Sequence, residues 1–427
     1  MTGGIKKLAI LILIVCLFAG CAQQEVKQTP QEETKQEAKQ EVIKVGVIGP
    51  MDLPFGIAEK KAVELAAEQI NAEGGILGKK VEVIVADTKL NPNTATSEFR
   101  RLVDEECSVI IGGFASGVSL SMQEVMAETK TVWLADGSSP KLTEKVKEDY
   151  EHYKYFFRAG TLNGTTFAYD IFDALHNYYN GKLGKNWKKV AVIRDDAVWT
   201  EGVMAALRPM LESNGYEIVM DAKVPKGTED FSSILYEAKD KADVIVTLLA
   251  HVNGIPLVKQ WSEMRIPLQI IGHDLSAIYP TAWESSNGKI EGEVFIATGG
   301  AIHIPVNERA EKFIEAWKEK YGSLPDANTA YDMYDALFIY KAAVEQAAKD
   351  GKDPNDPDVV VEYIEKFNAD NPFECVRGKL AFTKYHDPMW GDEYIRNWIC
   401  QWQDGKVVII WPENVATGEY VQPEWIE

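Results

Sequence analysis

The stretch from Ile43 to Asp87, IKVGVIGPMDLPFGIAEKKAVELAAEQINAEGGILGKKVEVIVAD, decides the fold. It opens on an almost uninterrupted apolar run, Val42 to Ile48, the pattern of a strand buried on both faces of a parallel sheet. The turn-rich segment Gly49 to Gly56 follows. Ile57, Val63, Ala66, Ala67 and Ile70 then recur at helical spacing on one face. Gly74 and Gly75 stop that helix, since glycine enters the left-handed conformation of a helix end without steric cost. A second apolar run, Val81 to Ala86, closes a strand–crossover–strand unit, which packs right-handed onto a parallel sheet.

The same alternation continues outward. Asn91 and Pro92 begin a helix with Ala95, Phe99, Leu102 and Val103 on one face, Asn as cap and Pro at the first helical position. Strands are predicted at Ser108 to Gly112, Thr131 to Ala135 and Tyr155 to Arg158, completing one doubly wound α/β lobe. The pattern then restarts, with a helix from Asn163 through Tyr179 and strands at Lys189 to Arg194, Ile218 to Met220, Asp243 to Leu249 and Leu268 to Gly272. Helices between these strands make a second lobe of the same architecture. Gly292 to Ala297 reads as a strand returning to the first lobe, where the helices Asn307 to Tyr321 and Ala330 to Ala348 would pack. The Trp-rich C-terminal part contains RNWICQWQDGKVVIIWP, a hairpin across Asp404-Gly405.

At 427 residues the chain exceeds one ordinary core, and two domains are expected. A hydrophobic fraction of 46% suits a globular protein. The formal charge of −20 argues against a nucleic-acid partner, because neutralising phosphates takes clustered Lys and Arg.

The N-terminus reads as an export signal. Lys6 and Lys7 precede the apolar run Leu8 to Phe18, short for a bilayer span but suited to a signal-peptide core over residues 1–20. Residues 22–41, AQQEVKQTPQEETKQEAKQE, carry no apolar face and read as a flexible tether. Of the five cysteines, Cys107, Cys375 and Cys400 fall in the globular part. Export permits disulfides, and Cys375 and Cys400 sit in neighbouring strand-like segments able to run antiparallel; the alternative is buried free thiols.

The wording INAEGGILGKKVEVIVAD resembles the opening of the leucine/isoleucine/valine-type solute-binding proteins of ABC importers. Leu17-Phe18-Ala19-Gly20-Cys21 is similar to the lipobox of exported lipoproteins, with Phe18 where leucine is more common. That likeness implies lipidation of Cys21 and an extracytoplasmic protein anchored to the cell membrane. The resemblance implies a type I periplasmic-binding-protein fold: two doubly wound Rossmann-like lobes joined by a three-strand hinge, with crossings near 159, 298 and 377. The lobes are expected at 42–159 plus 298–376 and at 160–297 plus 377–427. An ABC transporter permease is the implied partner, no cofactor is implied, and the ligand is an amino acid or a similar small polar molecule.

In open α/β sheets, ligands bind outside the carboxyl ends of the strands. On the first lobe this rule selects Ser116 and Ser138, whose hydroxyls precede helices and face positive dipole ends suited to a carboxylate. The alternative for each is a cap that only finishes its own helix. The family likeness places the ligand's α-carboxylate on these loops, together with Asp136 and Gly137, and makes Phe55 an apolar wall. On the second lobe it places an aromatic residue at Trp199 and an acid for the ligand's ammonium at Asp274. His251 falls where branched-chain binders carry tyrosine.

Phosphate-loop, dinucleotide, nucleophile-elbow and His-Glu-x-x-His motifs are missing from the sequence, which disfavours an enzyme. His251, His273 and His303 lie on different loops, a weak pattern for a metal. A ligand-sensing receptor component is the other reading. It is disfavoured because no membrane helix or signalling domain follows Glu427, although a separately encoded partner is able to read such a protein.

Overall fold

The computed structural model describes residues 41–298, 303–325 and 327–426. The signal run, Cys21 and nearly all of the tether lie outside them.

Two parallel sheets dominate. The first contains β1 (Val42–Gly49), β2 (Lys80–Asp87), β3 (Val109–Gly112), β4 (Trp133–Ala135) and β5 (Phe156–Arg158), in the order β2-β1-β3-β4-β5. β1 pairs in register with β2 (Val45↔Val83) and with β3 (Val45↔Val109). The second contains β6 (Lys189–Asp195), β7 (Glu217–Val224), β8 (Val244–Leu249) and β9 (Gln269–Asp274), in the order β7-β6-β8-β9. Both orders reverse direction beside their first strand, and that reversal opens a crevice at the carboxyl ends. The central strands β3 and β8 are buried along their whole length, as covering a parallel sheet on both faces requires.

The opening unit forms as its pattern predicts. The helix Pro54–Ala72 buries Ala58, Ala62, Val63, Ala66 and Ile70 and ends before Gly74 and Gly75 at φ of 106° and 82°. Ile57 departs from the expectation and is 37% exposed. It sits at the edge of the apolar stripe, whose inward arc is filled by the alanines. The Asn91 side chain accepts the N–H groups of Asn93 and Thr94, as expected of a cap. The helix Asn328–Lys349 lies against Pro54–Ala72, with Thr329 Oγ1 donating to Phe55 O at 2.7 Å and the Tyr334 hydroxyl donating to Gln69.

Three further strands, β10 (Val294–Thr298), β13 (Asn397–Gln403) and β14 (Lys406–Trp411), form an antiparallel sheet. β13 and β14 make the predicted hairpin, with Asp404 and Gly405 at φ of 49° and 74°. β10 does not rejoin the first lobe. It pairs with β13 and lies beside β9, where Gln269 Nε2 donates to Gly292 O at 3.0 Å. The sequence pattern marks a strand here, but only a distant partner, β13, settles which sheet it joins.

The short pair β11 (Phe373–Cys375) and β12 (Gly378–Leu380) stands apart from that sheet. Cys375 and Cys400 therefore occupy different sheets, and both are buried free thiols, as is Cys107. Of the two alternatives the sequence left open, a bridge or buried free thiols, the structure holds the free thiols. Burial holds the Cys400 thiol well above its ordinary pKa and lifts that of Cys375 to about 12.

Candidate functional site

The carboxyl ends of both parallel sheets face one crevice. On the first lobe, β3 runs into Gly112 and Gly113 at φ of 104° and 145°, followed by Phe114 at φ of 79°. A positive φ is strained for an aromatic residue. The neighbours that hold it there are visible: the Phe114 ring stacks on Phe55 with centroids 3.7 Å apart and meets His251 of the other lobe at 5.7 Å. The helix Ser116–Thr129 starts next, and Ser116 Oγ accepts the Ser139 N–H at 3.0 Å, leaving its own O–H to donate elsewhere. β4 runs into Asp136, whose Oδ1 accepts the N–H groups of Gly137 at 2.6 Å and Thr161 at 3.0 Å. Asp136 thus ties the β4 loop to the segment leaving β5 for the second lobe.

On the second lobe, Asp195 at the end of β6 is the organising residue, and it is almost fully buried. Its carboxylate accepts the N–H groups of Ala250 at 3.0 Å, His251 at 2.8 Å and Val252 at 3.1 Å, and the Trp199 indole N–H at 3.0 Å. One buried anion thereby shapes the loop after β8 and aims the tryptophan. His273 packs edge-on to Trp199 and Phe167, with its Nδ1 3.3 Å from Ile296 O. Burial lowers its pKa to about 4, and burial also lowers that of His251 against the pull of Asp195. His273 is neutral at neutral pH, and burial favours the neutral form of His251.

These loops enclose a cavity of about 40 Å³. Its first-lobe and crossing residues include Phe114, Ser116, Asp136, Ser138, Thr161 and Asn328. Its second-lobe residues are Phe167, Trp199, Ala250, His251, His273 and Leu275. The structure thus brings together Ser116, Asp136, Ser138, Trp199 and His251 from the set predicted by sequence. Gly137 shapes the loop through φ of 112° without lining the cavity. Phe55 lines a neighbouring, more open cavity of about 390 Å³ beside His251.

Asp274 is placed elsewhere. It is fully buried, accepts the Ser276 N–H at 2.8 Å as the cap of the short helix Leu275–Ile278, and is not among the cavity's lining residues. Its carboxyl faces that of Glu293, and burial raises its pKa to about 6 and that of Glu293 well above the ordinary value. A residue that follows a strand toward the crevice can still turn its side chain into its own helix cap, and strand position does not distinguish the two.

Sequence reasoning missed Phe114, Thr161, Phe167, Asn328 and the supporting Asp195. Phe114 and Asp195 carried a usable signal, because Phe114 follows β3 by two residues and Asp195 ends β6, both at the carboxyl edge. Asn328 carried none, since its helix reaches the cavity only through packing on Pro54–Ala72.

Behind the first-lobe wall lies a group of buried carboxyls. Glu59 is fully buried, and burial, with Asp136 and Asp332 nearby, holds its pKa well above the ordinary value against the opposing pull of the Gly113 N–H. Gly49 makes room for it: a Cβ there would lie 2.2 Å from Glu59 Oε2. Burial also raises the Asp136 pKa, opposed by its two N–H partners and by Arg377 and Arg158. Among the described residues no group of three His, Cys, Asp or Glu side chains is placed to hold a metal ion.

Comparison with known proteins agrees with this architecture. The chain is 28% identical over 404 residues to Leu/Ile/Val-binding protein homolog 7 of Brucella suis, covering 90% of this chain and 94% of that one. The crystal structure of the branched-chain amino acid transporter substrate-binding protein LivJ of Streptococcus pneumoniae, in complex with isoleucine, superposes with a TM-score of 0.71 at 25% identity, over 90% of this chain and all of that one. A solute-binding protein of R. palustris in complex with benzoate shares the fold, with a TM-score of 0.70 at 18% identity, covering 90% and 99% of the two chains. The family described as periplasmic binding protein matches residues 42–406. That family is one of extracytoplasmic solute-binding proteins and not of enzymes. With two doubly wound lobes closing on one cavity and a family match across nearly the whole globular part, this chain belongs to the periplasmic binding protein family.

Proposed function

We propose that this protein captures an amino acid in the cavity between its lobes and presents it to an ABC importer. The observation that carries the reading is the composition of the cavity. Hydroxyls of Ser116 and Ser138, the carboxylate of Asp136 and the rings of Phe114, Phe167 and Trp199 converge on one small space. That combination offers donors for a carboxylate, an acceptor for an ammonium and an apolar wall for a side chain. The relatives named for leucine, isoleucine and valine support it.

The mechanism is hinge closure: ligand held by one lobe favours the conformation in which the second lobe covers it. Mass spectrometry of small molecules released from the purified protein identifies the ligand. A panel of amino acids and organic acids in thermal melts then ranks affinity, since a ligand bound only by the folded state raises the melting temperature. Scattering is expected to show a smaller radius of gyration with ligand. A panel in which no amino acid stabilises the protein overturns the reading.

The anchor belongs to the same proposal. Cys21, in Ala19-Gly20-Cys21, is the lipidated residue, and the following tether places the binding unit near the importer. In a host that processes lipoproteins, wild type is expected in the membrane fraction and Cys21→Ser in the soluble or uncleaved fraction. An unlipidated, soluble wild type overturns this part.

A further inference from the structure

Two loops of the first lobe touch one helix of the second. The helix Val198–Ser213 follows β6, and the segment Ser138 to Pro140 follows β4. Gly202 lies inside that helix, where glycine is among the least favourable residues, since it gives up the most backbone freedom and packs no side chain. The reason for a glycine lies across the crevice. A Cβ at 202 would stand 2.5 Å from Pro140 Cδ and 3.2 Å from Pro140 Cγ, and outside its own helix backbone no other residue comes as near. The missing side chain is what lets the helix reach the loop.

Pro140 has little room to yield. Its ring is closed on its own backbone, which fixes φ. Its carbonyl accepts the N–H groups of Thr143 at 3.1 Å and Glu144 at 2.9 Å, opening the helix Lys141–Glu148. Ser139, just before it, donates its N–H to Ser116 Oγ at 3.0 Å, and its carbonyl accepts from Arg158 Nη2 at 2.9 Å. One turn before Gly202 on the same helix, Val198 Cγ2 is 3.6 Å from where a Cβ at Gly117 would stand, an ordinary contact distance. Beside the Gly202–Pro140 contact the seam stays open, as a crevice of about 400 Å³ with Val198, Glu201 and Ala205 on one side and Lys141 and Glu144 on the other. On this flank the approach of the lobes ends at Gly202 and Pro140.

We infer that Gly202 and Pro140 form the stop that sets how far the lobes close, and that only a residue without a side chain at 202 lets closure seal the cavity. The inference rests on hinge closure as proposed above and goes beyond it by naming the pair of residues that limits it. Carbon atoms rest about 3.5–4.0 Å apart. A methyl group at 202, set 2.5 Å from Pro140 Cδ, therefore holds the seam about 1 Å wider. Ser138, two residues before Pro140, and Trp199, in the first turn of the same helix as Gly202, both line the cavity and move apart with the seam. With the lobes open, the methyl group meets no first-lobe atom and favours the helix. One substitution thus strengthens a lobe and weakens closure, a pair of effects that ordinary core packing does not produce.

The test needs no ligand. Gly117→Cys with Val198→Cys places two thiols on the seam at close to disulfide spacing, and the rate at which they bridge under a mild oxidant reports the population of the closed conformation. Cys107, Cys375 and Cys400 are buried and do not compete. The pair is expected to bridge in the otherwise unchanged chain, about tenfold more slowly with Gly202→Ala, and more slowly still with Gly202→Val. Adding Pro140→Ala to Gly202→Ala removes Cδ and Cγ and is expected to restore the rate to within about threefold. Reduced Gly202→Ala is expected to melt at or above the temperature of the otherwise unchanged chain. An unchanged bridging rate with Gly202→Val overturns the inference and leaves hinge closure intact. So does a slow Gly202→Ala rate that Pro140→Ala fails to restore, because the obstruction then lies elsewhere. A Gly202→Ala protein that melts lower, unrelieved by Pro140→Ala, assigns the glycine to packing within its own lobe and overturns the inference too. A pair that never bridges in the otherwise unchanged chain fells hinge closure and this inference with it.

Discussion

Asp195 accepts the backbone N–H of His251 at 2.8 Å, and with that bond a buried carboxylate on one strand fixes the cleft-facing loop of another. The same carboxylate holds Ala250, Val252 and the Trp199 indole, so four donors converge on one side chain. Hydrogen bonds to a charged acceptor are stronger than neutral ones, and donors left unpaired in a buried site pay their full desolvation cost.

Asp195→Asn replaces an acceptor-only group with one that turns two N–H groups toward other donors. The unfolding free energy is expected to fall by about 2–4 kcal/mol. Trp199 is expected to lose its fixed orientation. Chemical denaturation measures the first and tryptophan fluorescence the second. Stability within about 0.5 kcal/mol of wild type would show that the loop after β8 holds its shape by other contacts.

The facing carboxyls of Asp274 and Glu293 make stability depend on pH. Burial raises the folded-state pKa of Asp274 to about 6 and that of Glu293 well above its ordinary value, Asp274 adding to the rise. A carboxyl with a raised folded pKa favours the folded state while protonated. Its contribution is complete below the unfolded pKa and is lost as pH rises through the folded value. Glu293→Gln removes one ionisation and replaces the facing carboxyl with an amide whose N–H donates to Asp274 at every pH. It is expected to raise stability at pH 8 by about 1–3 kcal/mol and to do much less at pH 4. Melting curves at the two pH values decide; an equal effect at both would remove the pair from the pH response.

Phe114 is held at φ of 79° between the Phe55 ring and His251. Aromatic pairs contribute about 0.5–1.5 kcal/mol beyond their buried area. Phe114→Ala keeps the strained backbone and removes both contacts. Ligand affinity is expected to fall by roughly tenfold, with the loss in the dissociation rate, because the ring bridges the lobes only when they are together. Stopped-flow dissociation checks this. An unchanged rate would mean that the stack serves the first lobe alone.

Much of this architecture is legible in local sequence because burial on both faces of a parallel sheet leaves a local mark. The runs Val42 to Ile48 and Val244 to Leu249 could hardly be placed otherwise, and the glycines at 74 and 75 mark a helix end by their own conformational freedom. Ser116, Asp136 and Trp199 were reachable for a related reason: each follows a strand at the carboxyl edge, and chain topology brings that edge to the crevice. The remaining features depend on partners far away in the chain. β10 joined β13 across about a hundred residues, Cys400 found itself in another sheet from Cys375, and Asn328 reached the cavity from a helix with no motif. Asp274 shows the limit most directly, because a side-chain rotation separates a cavity wall from a helix cap. Periodicity and turn chemistry determine strands, helices and the edge at which they end. Which side chain faces the ligand is settled by packing and hydrogen bonding between elements, and those energies belong to pairs of distant residues and not to any stretch of sequence.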